Sequence, residues 1–214
     1  LDGKRAIVYD LLETTNKVKY LDEIGYIPTT QIARSPDGLA SQLYESVNLL
    51  QDSRINLFTS NETDTVYQLD ATDINAVELV EVLNDNGQWI TKSKSADYSI
   101  DLAKGQIKFL NPIGKPPVDG RDNVRIKFKK TNNSNKTQIN KCDIMAVYGY
   151  AGANNRVFLA GNPDYANILM YSHLEDITYF PVENVIKIGL EVVPITGIIK
   201  LNSGKLAVLK NVSD

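Results

Sequence analysis

Short apolar runs separated by turn clusters recur along almost the whole chain, and apolar positions at helical spacing are rare. Arg156–Asp176, RVFLAGNPDYANILMYSHLED, shows the pattern in full. Arg156–Ala160 is an apolar, alternating run, Gly161–Asn162–Pro163–Asp164 is a dense turn cluster, and Ile168–Ser172 is a second run. Two runs joined by Gly, Pro, Asn and Asp predict an antiparallel hairpin, because those residues take up the tight backbone that a reversal requires. Thr178–Val182 and Val185–Leu190 predict further strands. So do Ile195–Leu201 and Leu206–Leu209, which flank Asn202–Ser203–Gly204. Near the start, Arg5–Tyr9 and Lys17–Tyr20 read as strands around the turn Glu13–Asn16, and Thr29–Ala33 reads as a short strand. Leu39–Leu50 fits either a short helix, through Leu39, Leu43, Val47 and Leu50, or an extended connector.

The middle of the chain carries the same signals more densely. Arg54–Thr59 and Thr65–Leu69 flank the polar turn Ser60–Asp64. The long apolar run Ala76–Leu83 meets Asn84–Asp85–Asn86–Gly87, whose Asn-Gly pair suits a tight hairpin turn into Gln88–Thr91. Tyr98–Asp101 and Gln106–Leu110 make another hairpin. Val124–Lys129 alternates strictly, with Val124, Ile126 and Phe128 expected inward and Arg125, Lys127 and Lys129 outward. Six or seven strands in this short span predict a small sandwich or barrel. Thr131–Thr137, TNNSNKT, is polar and of low complexity, and is predicted to be a linker. The expectation is therefore an all-β chain. Residues 1–49 and 138–214 form one discontinuous domain of antiparallel sheets, 50–130 an inserted sandwich or barrel, and 131–137 the link between them.

Composition narrows the role. The net charge of −3 argues against a nucleic-acid affinity built on bulk positive charge. One cysteine, Cys142, excludes an internal disulfide, and one histidine, His173, excludes a two-histidine metal site. No run is long enough to cross a membrane as a helix. The chain opens at Leu1, just ahead of a strand-like run, and is expected to be a piece of a longer polypeptide.

Candidate chemistry is sparse, and each case has an ordinary structural reading. Asp64, Asp70, Asp73, Asn84, Asp85, Asn86, Asp119, Asp122 and Asn123 offer oxygens for calcium but lack loop-ligand spacing, and Asp and Asn are the usual turn formers. Lys127, Lys129, Lys130, Arg121 and Arg125 beside Phe128 suggest a basic strip, which reads more simply as a solvated strand face. Glu175 and Asp176 near His173 point to opposite faces of an extended chain, as do Glu78 and Glu81 if their strand is uninterrupted. Cys142 reads as a buried small hydrophobe. Trp89, the only tryptophan, is the one candidate for a glycan or partner contact. No catalytic, cofactor or metal residue is assigned.

One resemblance rests on particular residues. Arg156, the Gly161–Asn162–Pro163 turn, Tyr171–Ser172 and Asp176–Ile177–Thr178–Tyr179–Phe180–Pro181 form a segment similar to one in bacteriophage tail and neck structural proteins with a β-propeller fold. These include relatives of the packaged-DNA stabilisation protein of short-tailed phages. Ile195–Lys210 resembles the next blade strands, and LDGKRAIVYDL, GYIPTTQIARSP and Tyr44–Leu50 resemble such proteins in phages of Gram-positive hosts. The resemblance implies propeller-like sheets, although the outer segments hold strands for only about two blades. It also implies a non-enzymatic virion component of a phage tail or neck. Such a component would contact other phage structural proteins and possess no cofactor. Self-association is compatible with it, whereas nucleic-acid and membrane contacts are not expected. The alternative is a receptor- or carbohydrate-binding module of a phage appendage, with Trp89 in the contact.

Overall fold

The computed structural model describes residues 4–149 and 154–211. Turn clusters reverse the chain, and the runs between them extend into strands. β1 (Ile7–Tyr9) and β2 (Val18–Tyr20) form a ribbon. β3 (Thr29–Arg34), β4 (Gln42–Leu43) and β5 (Ser53–Phe58) follow, so the Leu39–Leu50 stretch is an extended connector and not a helix. β6 (Val66–Gln68), β7 (Ala76–Leu83), β8 (Trp89–Thr91), β9 (Tyr98–Asp101), β10 (Gln106–Phe109) and β11 (Val124–Lys129) fill the middle of the chain. After the helix α1 (Asn133–Asn140) come β12 (Ile144–Tyr148), β13 (Arg156–Ala160), β14 (Ile168–Tyr171), β15 (Val185–Lys187), β16 (Ile195–Lys200) and β17 (Leu206–Lys210). The protein is all-β, built from mainly antiparallel sheets. Thr178–Val182, read above as a strand, is a turn segment instead.

The chain divides into two units. Unit 1 holds Leu1–Tyr26, Asn48–Gln51 and Asn132–Asp214, and unit 2 holds Ile27–Val47 and Asp52–Thr131. The boundary thus differs from the expected break at residue 49, because β3 and β4 lie in unit 2. The reason is a polar network around β3. Thr30 Oγ1 donates to Asp70 at 2.8 Å and accepts from Asn56 Nδ2 at 3.0 Å. The Arg34 guanidinium donates to the carbonyls of Gln68 at 2.8 Å and Leu69 at 3.2 Å.

Unit 2 is a two-sheet sandwich. A six-stranded sheet, ordered β4-β3-β5-β11-β7-β8, faces a three-stranded sheet, β6-β10-β9. β3 runs parallel to β5, and the other pairings of the unit are antiparallel. Alternation decides the inner face: Val124, Ile126 and Phe128 of β11 are fully buried. They share one core with Phe58, Val80, Tyr67, Tyr98, Ile107 and Phe109, contributed by both sheets. The Asn84–Gly87 turn closes β7 onto β8, and Gly87 occupies the left-handed region at φ 73°, which a side chain disfavours.

In unit 1 the sheet β12-β13-β14-β15 is an up-and-down meander. The central strands β13 and β14 read as nearly continuous apolar runs because both of their faces are covered, whereas β12 is exposed at Met145 and Val147 and β15 is exposed throughout. Leu159 and Met170 face one core, with Ala6, Leu21, Leu49, Leu50, Ile139, Cys142 and Phe180. Ala160, Leu169, Ile144 and Phe158 face a second, with Ile195, Ile198 and Val208 from the β16–β17 hairpin. The early and late segments therefore meet through a shared core. Among the described residues the strands of 4–49 and of 138–211 share no sheet, and a single antiparallel bridge, Asn48 to Pro181, joins the two segments.

Asn48 fastens the 48–51 crossing. It is fully buried, donates to the Tyr26 and Thr178 carbonyls at 2.8 Å each, and accepts from Leu50 at 3.1 Å and Phe180 at 2.9 Å. Most of the expected linker 131–137 is the start of α1. Asn132 caps that helix by accepting from Ser134 N at 3.2 Å. Ile139 is fully buried, and Asn140 bonds Ala6 and Asp22, so the polar run is anchored at its far end.

Candidate functional site

Trp89 sits on β8, an edge strand of the six-stranded sheet, and is half-buried. The Arg125 guanidinium lies 4.6 Å from the centre of its ring and is held there by Glu81, 2.6 Å away. One face of the indole is therefore already stacked by a cation. Next along the same face, Lys127 pairs with Glu78 at 3.3 Å. Glu78 and Glu81 share this face because the β7–β11 register slips between Lys127 and Phe128. The strand is interrupted by an irregularity, so the simple alternation rule does not apply.

The remaining sequence candidates do not converge. Phe128 lies in the core, on the opposite side of β11 from Lys127, so the basic strip has no aromatic on its surface. Lys130 donates to the carbonyls of Thr72 and Asp73. Asp70 is paired with Arg54 at 3.0 Å, Asp122 accepts from Ala33 N and Thr59 Oγ1, and Asn123 is bonded to Ser60. Asn84 caps its turn by accepting from Asn86 and Gln88. No group of three or more His, Cys, Asp or Glu side chains suited to a metal occurs among the described residues. The His173 ring stacks on Tyr179 with centroids 5.4 Å apart, while Asp176 caps Thr178 at 2.7 Å. Cys142 is buried, and its thiol is pushed up to about 12, by burial first and by Asp143 second.

Unit 1 carries two adjoining clefts that the sequence did not reveal. One, of about 580 Å³, lies by Ile168, Val182, Val185, Lys187 and Glu191. The other, of about 590 Å³, lies by Asp143, Asn162, Pro194 and Thr196, and the two share Pro163, Ala166 and Val192. The Gly161–Asn167 turn shapes both. Gly161 has φ 78°, and a Cβ there would run into the Asp143 carboxylate. Asn162 donates to the Thr137 and Gln138 carbonyls at 3.0 and 2.9 Å, tying the turn to α1. Asp164 is committed to Lys141 at 2.5 Å. His173, the only histidine, does not line either cleft.

The most distinctive surface is the β1–β2 ribbon. Its inner face places Ala6, Val8 and Leu21 on the core. Lys19 pairs with Val8 on that face, and the outer face is apolar and left uncovered by the described residues. The register pairs Ile7 with Tyr20 and Tyr9 with Val18, so the four side chains form one contiguous patch. Their exposures are 54, 38, 58 and 59% respectively, and the ribbon's tip carries Leu11 and Leu12 at 79 and 94%. The sequence signal was the unbroken apolar run Ile7–Val8–Tyr9, which marks a strand covered on both sides. Among the described residues nothing covers the second side.

The chain matches no family model, no curated protein and no solved structure.

Proposed function

We propose that this chain is a non-enzymatic structural component of a phage tail or neck that acts through protein–protein contacts in the virion. The observation that carries this reading is the bare outer face of the β1–β2 ribbon, where Ile7, Tyr9, Val18 and Tyr20 form one exposed apolar patch. Exposed contiguous apolar patches of this kind mark interaction sites, and the tyrosines within it are favoured at interfaces. The phage assignment draws its support from the residues of Arg156–Pro181 quoted above. Negative-stain microscopy of virions with antibody to this chain tests the proposal. Label at the tail or neck is expected, and label absent from every particle overturns it.

A further inference from the structure

Building on that reading, we infer that the outer face of the β1–β2 ribbon docks a second copy of this chain, two ribbons packing face to face about a two-fold axis. Three observations select this occupant.

The first is area. With the exposures given above, Ile7, Tyr9, Leu11, Leu12, Val18 and Tyr20 leave roughly 750 Å² bare, taking about 200 Å² for each large side chain. A stable two-chain interface takes roughly 800 Å² from each partner. The four face residues supply about 420 Å² of this and the two tip leucines the rest, so the ribbon covered together with its tip falls within the roughly 600–1,000 Å² per partner of standard interfaces.

The second is charge. Residues 4–23 hold four cations, Lys4, Arg5, Lys17 and Lys19, and four carboxylates, Asp10, Glu13, Asp22 and Glu23. Their charges sum to zero, and two of the cations are paired with all four carboxylates. Arg5 reaches Asp22 at 2.7 Å and Glu23 at 2.9 Å, and Lys19 reaches Asp10 at 3.4 Å and Glu13 at 3.0 Å. A copy of the same face meets no like-charge repulsion. A polyanion or an anionic bilayer finds no net positive charge to hold it.

The third is symmetry. The patch is two cross-strand pairs, Ile7·Tyr20 and Tyr9·Val18, each joining an aliphatic to an aromatic side chain. Rotating it onto itself can set aliphatic against aromatic, the self-complementarity that an isologous interface requires. Arg5 lies 3.7 Å from the centre of the Tyr20 ring and fixes that ring at the patch rim.

The test is size-exclusion chromatography with light scattering from low to high micromolar concentration. The expected result is a shift from 23.8 kDa to twice that mass. Val18→Glu should raise the dimer dissociation constant at least about a hundredfold. Leu12→Glu, at a loop tip where folding is not at stake, should raise it about tenfold. Ile186→Glu, on the exposed β15 of the same unit, should leave it unchanged, and circular dichroism checks that all three variants fold. A strict monomer, or a dimer that survives both ribbon variants, overturns the inference. So does binding of the chain to neutral lipid vesicles without dimer formation. The protein-contact reading is separable: particles that carry the label while the isolated chain stays monomeric leave it standing with a different subunit on the face. Particles without label remove it.

Discussion

At the scale of single residues, stability rests on a few buried polar groups and on two buried groups that ionise only at high pH. Asn48 uses its whole hydrogen-bonding capacity on four backbone groups of unit 1. Asn48→Leu keeps the volume and leaves the Leu50 and Phe180 amides unpaired, and both carbonyls lose a donor, although the Thr178 carbonyl keeps the Tyr26 amide at 3.0 Å. At about 1–3 kcal/mol for each unsatisfied buried group, unit 1 should lose on the order of 3–5 kcal/mol, read from its denaturant midpoint. A change under about 1 kcal/mol would show that water replaces those bonds. Tyr67 and Cys142 give a pH signature. Burial pushes Tyr67 from 10.0 up to about 12 and Cys142 from 9.0 up to about 12. Above their ordinary values the unfolded chain has released these protons and the folded chain has not, so stability falls with pH. Unit 1 should weaken from about pH 9 to 12 and unit 2 from about pH 10 to 12. The Tyr67 hydroxyl has no hydrogen-bond partner of good geometry. Tyr67→Phe should therefore flatten the alkaline slope of unit 2 and cost no stability at pH 7. An unchanged slope would remove Tyr67 as its source.

At the scale of elements, what the sequence made legible follows from how local each cause is. β11 was readable because its alternation maps directly onto buried Val124, Ile126 and Phe128. The β7–β8, β9–β10, β13–β14 and β16–β17 hairpins were readable because their turns lie between paired strands. β3 was readable as a strand, but its place in unit 2 was not, since that depends on Asn56 and Asp70 far along the chain. The slip in β7 that brings Glu78 and Glu81 to one face was likewise invisible, as was the Arg125 guanidinium over Trp89. The expected link at 131–137 contains the crossing between Thr131 and Asn132, but most of it is the start of α1, anchored by Ile139 and Asn140 just beyond. The bare face of the ribbon was half legible: Ile7–Val8–Tyr9 announces burial on both sides, but no local pattern says that one side stays open. For β3 the deciding contact is Arg34. Arg34→Met should destabilise unit 2 by about 1–3 kcal/mol, because the Gln68 carbonyl loses its guanidinium donor and the Leu69 carbonyl keeps only Gln68 Nε2 at 3.2 Å. A melt of unit 2 identical to that of the parent would show that β3 is held by its pairing alone.

At the scale of the whole molecule, each unit has its own core and its own single reporter. Trp89 is the only tryptophan and lies in unit 2, and Cys142 is the only cysteine and lies in unit 1. Trp89 emission and Cys142 thiol accessibility thus follow the two cores separately. Asn48→Leu should shift the thiol transition and leave the emission transition in place, and Arg34→Met should do the reverse. Coincident shifts in both would mean that the cores unfold together. Neither core explains the ribbon, whose outer face is the proposed site of contacts beyond the chain. Oxidative footprinting of Tyr9 tests this most directly, with Tyr44, 64% exposed in unit 2, as the internal reference. Tyr9 should be modified readily in dilute chain and become protected in concentrated chain and in virions, while Tyr44 serves as the constant. Equal modification of Tyr9 and Tyr44 at every concentration and in the particle would contradict an interface on this face.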